Sequence, residues 1–195
     1  MGCRSAAHQS VRLGKGVVMY SIEAPNYPET KTDEFFKYTK KKVEGFAGLQ
    51  ERNGPYGAVS SISPSDGSID FCCDKDMSTD QFLEIVDWVE SNSGKLLALA
   101  LESFVELYWE MRDLVIESLI DEDPDDVVPE IKSYDDLRKL CGIVAVHVKG
   151  KSDNGDPLFG IEFGCTWEDE HGAGAGFEGF TIKESGHASD AFDFV

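Results

Sequence analysis

Helical spacing gathers in the middle of this chain while apolar runs of strand character stand toward both ends, and that distribution decides the class of fold. Ser78-Thr79-Asp80-Gln81 forms a capping box, with Phe82, Ile85, Val86 and Val89 as the apolar stripe behind it. Asn92-Ser93-Gly94 interrupts the pattern, and a second, longer helix is expected from residue 94 to about Ile120. Its stripe is Leu97, Leu101, Phe104, Val105, Tyr108, Met111, Val115 and Leu119, but Leu99, Leu107, Trp109 and Leu114 lie off it. A helix apolar around most of its circumference is either central to the core or buried against a second copy, so a homodimer through residues 94–120 is the alternative to a core helix. A short helix over 134–140, capped by Ser133, follows.

Strand signals flank these helices. Residues 16–22 read as a first strand, and Thr32 caps an expected helix over 33–45, in which acids precede lysines as the helix dipole favours. Residues 56–63 and 68–73 read as two strands joined in a hairpin at Ser65-Asp66-Gly67. Residues 142–148, 158–167 and 177–182 complete a C-terminal antiparallel set. The order β-α-ββ-α-α-α-βββ does not alternate as a doubly wound parallel sheet would. It predicts an α+β fold, a mostly antiparallel sheet built from N-terminal and C-terminal strands and covered by the central helices.

The 195 residues, 41% of them hydrophobic, suit a single domain over 1–195 with a disordered start at 1–12 and an acidic loop at 121–132. The formal charge of −19 repels phosphate backbones and anionic lipid, so no nucleic acid and no membrane surface is expected as a partner. A basic protein is the partner such a charge would steer. The longest uninterrupted apolar stretch is residues 96–101, and no secretory signal follows the first Arg, so a cytoplasmic protein is expected. Five cysteines, Cys3, Cys72, Cys73, Cys141 and Cys165, show no CxxC spacing and read as free thiols of a reducing compartment. The run at Asp121–Asp126 lacks the glycine and distal Glu of an EF-hand and reads as a solvated acidic loop.

The segment richest in chemistry is C-terminal. Phe159, Ile161, Phe163, Cys165 and Trp167 share one face of a strand, and Gly160, Glu162 and Gly164 leave the other face with little bulk. The candidate site follows in Trp167, Glu168, Asp169, Glu170, His171, Gly172 and Gly174: an aromatic contact surface, three acids, an imidazole and permissive glycines. Asp169, Glu170 and His171 are candidate metal ligands if His147, His187 or Asp190 supplies a distant fourth. Neighbouring side chains on a loop diverge, so the favoured reading has an acid accepting backbone N–H groups in the turn and His171 locking it. No HExxH, P-loop, GxGxxG or GxSxG is present, and Cys165, placed on the apolar face, reads as a buried thiol rather than the partner of His147 or His171.

The run Trp167-x-Asp169-Glu170-His171-Gly172-x-Gly174, with Gly186-x-Ala188-x-Asp190-Ala191-Phe192 after it, resembles the W-D-x-E-H-G-x-G signature of an uncharacterised bacterial domain family, some of whose members look like immunity proteins against polymorphic toxins. The resemblance covers about the last 40 residues; it supports a small bacterial binding domain and implies no catalytic residues, and no cofactor is expected. The sequence thus points to a non-enzymatic protein-binding domain, with a metal-binding protein or metal-dependent hydrolase using 168–171, and an acidic homodimer, as alternatives.

Overall fold

A computed structural model describes residues 29–53, 59–121, 123–168 and 170–194, with residues 53 and 59–63 through their backbone alone. The expected strand at 16–22, the start at 1–12 and Cys3 lie outside the described residues. The elements run β1 (Lys31–Thr32), β2 (Phe36–Lys42), β3 (Gln50–Asn53), β4 (Val59–Pro64), β5 (Ser68–Asp74), α1 (Thr79–Ser103), α2 (Val105–Ser118), α3 (Pro124–Val127), β6 (Cys141–Lys151), β7 (Pro157–Cys165), β8 (Ala173–Glu178) and β9 (Thr181–His187). The fold is α+β. Seven strands form a sheet in the order β1-β2-β5-β6-β7-β8-β9, all antiparallel except the central pair β5 and β6, and β3-β4 is a separate two-stranded ribbon. That parallel step follows from the helices, because α1 to α3 carry the chain back to the end of the sheet from which β5 started.

Period two selects the face of each strand. Phe71, Val146, Val148, Phe159, Ile161, Phe163 and Phe177 point one way and are buried. The α1 stripe of Phe82, Ile85, Val86, Val89, Leu96, Leu97, Ala100 and Leu101 closes over them, and the two sets make one hydrophobic core. At the end of α1 Phe104 meets Phe163 edge to face, centroids 5.3 Å apart, and Tyr108 does the same to Trp167 at 5.4 Å.

Three expectations are corrected. The helix expected over 33–45 is the strand β2: Asp33 Oδ1 accepts the N–H groups of Phe35 and Phe36, both at 2.8 Å, and turns the chain into an extended run. On β2 Lys37 and Lys41 lie on the α1 side of the sheet, where the ammonium of Lys41 is 2.6 Å from both Asp87 and Glu90. The lysines that imitated a helix C-terminus are therefore divided between the two faces of a strand. Asn92-Ser93-Gly94 does not end a helix either. α1 runs through it, with Ser93 buried and its hydroxyl returned to the Glu90 carbonyl at 2.8 Å. The helix breaks later, at Phe104, beside a Ser103 hydroxyl bonded to the Ala100 carbonyl at 2.7 Å. Finally, Ser65-Asp66-Gly67 does not join a hairpin. β4 pairs with β3, β5 pairs with β2 and β6, and the turn carries the chain from ribbon to sheet. Gly67 has φ 84, and a Cβ there would stand 2.4 Å from the Val43 carbonyl oxygen.

The opposite face of the sheet is only partly covered. At one end the ribbon lies on Gly142, whose Cβ position would be 2.0 Å from the Gln50 carbonyl oxygen. At the other, the C-terminal 3-10 turn Ala188–Ala191 lies on the sparse face expected from the sequence: a Cβ on Gly160 would be 1.8 Å from the Ala191 carbonyl oxygen. Between the two coverings the centre of the sheet faces a cleft.

Candidate functional site

The turn at 167–174 is built as a turn. Trp167 is fully buried against Tyr108, so it supplies core and no contact surface, and that part of the expectation is corrected. Glu168 accepts the His171 backbone N–H at 3.2 Å and lies 3.1 Å from its Nδ1, while the Gly172 N–H reaches the Glu168 carbonyl at 3.0 Å. Glu170 and His171 are exposed, and Asp169 lies outside the described residues. Gly172 and Gly174 are buried, and a Cβ on Gly174 would be 2.7 Å from the carbonyl oxygens of His187 and Ala188. Gly174 thus admits the C-terminal turn, and Gly172 takes φ 67 within the 167–174 turn itself. Of the distant groups, His187 stands beside His171 with ring centroids 6.3 Å apart, His147 is engaged elsewhere, and Asp190 faces Gly186. Among the described residues no group of three His, Cys, Asp or Glu side chains converges as metal ligands would.

A second feature is α2 and the segment after it. Only Tyr108 of this helix is fully buried, and Trp109, Leu114 and Ile120 are exposed, Leu114 at 59% and Ile120 at 83%. The core expected of the whole 94–120 helix therefore belongs to α1, and α2 is amphipathic with a face toward solvent. Residues 102–126 hold ten acids and one base, Arg112. Arg112 is spent internally, its Nε donating to the Val128 carbonyl at 2.9 Å, and Tyr108 Oη donates to the Pro129 carbonyl. The acidic loop contains the single turn α3, pinned to α2 by those two bonds and by buried Val128 and Ile131.

The third is the cleft on the open face, and it brings together residues from three strands. Cys72 on β5 and His147 on β6 are register partners, and their side chains meet with Sγ 3.2 Å from Nδ1. On the far side of the imidazole Nε2 lies 2.7 Å from Oε2 of Glu162 on β7. Glu162 is a buried carboxylate at 8% exposure, and Cys72 is half-buried, whereas Cys73, Cys141 and Cys165 are buried. Phe36, Met77 and Phe192 wall a space of about 600 Å³ over the Cys72–His147 end. Phe192 also packs on the imidazole with centroids 5.2 Å apart. Burial disfavours a charged His147, but the bonds to Cys72 and Glu162 prevail and raise its pKa to about 9. Burial dominates at Cys73, pushed up to about 11, and at Cys141, pushed up to about 12, and it drives the Cys165 thiol far up as well.

Sequence reasoning placed Cys72, His147 and Glu162 on strands and missed their union. The available signal was periodicity: each occupies the face opposite the apolar positions of its own strand. Register was the missing piece.

No curated protein and no solved structure matches the chain. A family model does match, over residues 45–192, a span that holds the cleft triad, α2 and the 167–174 turn and leaves out β1 and β2. The chain thus belongs to DUF6985, a domain family of unknown function.

Proposed function

We propose that this protein is a binding domain for a basic protein, docked on the solvent face of α2. The observation that carries the reading is that Trp109 and Leu114 of α2, with Ile120 just after it, are exposed together with Glu106, Glu110, Asp113 and Glu117, in a stretch, residues 102–126, whose sequence holds ten acids against one internally bonded Arg. Apolar anchors supply contact area and the acids supply steering and orientation, the division of labour found in electrostatically complementary interfaces. An immunity-type role, neutralising a cationic toxin, is the form of this reading that the C-terminal signature favours, and a reducing cytoplasm suits the four free thiols among the described residues. The same charge disfavours pairing α2 with its own copy, because a two-fold contact sets one acidic row against another.

A photo-crosslinking residue at Leu114, introduced in the full chain in its own cells, tests the proposal. The expected product is a heterologous polypeptide of net positive charge, lost when Glu110, Asp113 and Glu117 are changed to Gln and lost at high salt. A crosslink to a second copy, a partner without net positive charge, insensitivity to the triple change, or no crosslink would each overturn it.

A further inference from the structure

We propose that Cys72, His147 and Glu162 form a nucleophilic thiol site that accepts the acyl group of an ester or thioester with an apolar acyl chain. The geometry is that of an activated nucleophile: a thiol within reach of one imidazole nitrogen, and a carboxylate orienting the ring through the other. With Nε2–H directed to Glu162, Nδ1 is left to exchange a proton with the sulfur. Cys72 is half-buried and lines the cleft, which the buried Cys73 also borders and which Cys141 and Cys165 do not line, and Phe36, Met77 and Phe192 give that cleft an apolar wall. Lys149, two residues beyond His147, is a cation on the same cleft. A His147 that holds its proton up to about pH 9 agrees with the arrangement, since at neutral pH the proton is then on the ring.

The chemistry balances without a further reagent but water. His147 Nδ1 holds the proton it shares with Cys72, and the sulfur bonds to the carbonyl carbon. The bond from that carbon to the leaving oxygen or sulfur breaks, and the leaving group takes the proton from Nδ1, giving a thioester and a free alcohol or thiol. Water then adds to the thioester carbon, passing a proton to Nδ1. The C–S bond breaks with its electron pair on the sulfur, the carboxylic acid leaves, and the proton stays on Nδ1 beside the sulfur, as at the start. Glu162 is a positioning residue, touching the ring and not the reacting carbon.

The test uses p-nitrophenyl butyrate on the full chain, with the acylated cysteine identified by peptide mass spectrometry. Expected are p-nitrophenol release beyond one equivalent, label on Cys72, and acylation at least about tenfold faster than that of the same thiol in the urea-unfolded chain. His147→Asn lowers the native rate by at least about tenfold, and Cys72→Ser abolishes the reaction. In Glu162→Gln the His147 imidazole resonances titrate at lower pH. A native rate no faster than the unfolded one, label on the other cysteines, release that stops at one equivalent, or an unchanged rate in a His147→Asn protein of native circular dichroism overturns the proposal. The native-to-unfolded comparison needs no variant and therefore stands even if a substitution fails to fold.

Discussion

At Gly160 the side chain that is missing matters more than those present. A Cβ would fall 1.8 Å from the Ala191 carbonyl oxygen, a backbone atom that cannot rotate away. Gly160→Ala is expected to destabilise the fold by about 1–3 kcal/mol in urea titrations and to lift the 188–192 segment, which removes Phe192 from His147. His147 itself makes stability depend on pH in a defined window. Its folded pKa of about 9 exceeds the ordinary value near 6.5, so the native state holds the extra proton. That contribution is fully present below about pH 6.5 and is lost as pH rises through about 9. The urea midpoint is expected to fall across this interval in the wild-type protein, and His147→Gln is expected to flatten the fall. At Trp167 the buried indole Nε1 has no hydrogen-bond partner among the described residues. Trp167→Ala should cost about 3–5 kcal/mol, while Trp167→Phe, which removes the unpaired donor with part of the ring, should cost distinctly less in the same titration.

Among the elements, α1 carries a correctable defect. Gly94 is exposed inside a 25-residue helix, and a Cβ there meets nothing within 4 Å. Gly94→Ala is expected to raise stability by about 1 kcal/mol, measured as a shift in thermal midpoint. Ser93-Gly94 reads as a helix stop from local propensity, and packing overrides it: Gly45 presses on Ser93, its Cβ position 2.2 Å from the hydroxyl oxygen. The same contest explains what was legible. Strands with strict alternation, β5 to β7, and the capped start of α1 are written in local pattern. β2 was hidden because a charge order suited to a helix dipole overlay a period-two row, on which Lys41 finds Asp87 and Glu90 some fifty residues away. The triad was hidden for a related reason, since no local rule states that residue 72 stands opposite residue 147. By contrast, the turn role of Glu168 and His171 was visible, because its hydrogen bonds are made within three residues.

Over the whole molecule, charge weighs most on the balance between folded and unfolded chain. A formal −19 on 195 residues repels itself in the native state, and the paired lysines offset only part of it. The urea midpoint should therefore rise when sodium chloride is increased from about 20 mM to about 500 mM, which shortens the screening length from about 20 Å to about 4 Å. An unchanged or lower midpoint would mean that screened ion pairs outweigh the self-repulsion. No described helix is long and apolar enough to cross a membrane.

The parallel contact between β5 and β6 has a consequence in time. Its partners, Asp70 to Cys73 with Ala145 to Val148, are separated by the entire helical segment. Closing so large a loop is entropically costly and tends to come late in folding. During synthesis β1, β2, β5 and α1 leave the ribosome first, and the inner edge of β5 stays bare until β6 follows. Cys72 meets its imidazole only when that edge is sealed. The acceleration proposed for Cys72 should therefore be absent until the two halves of the sheet become one.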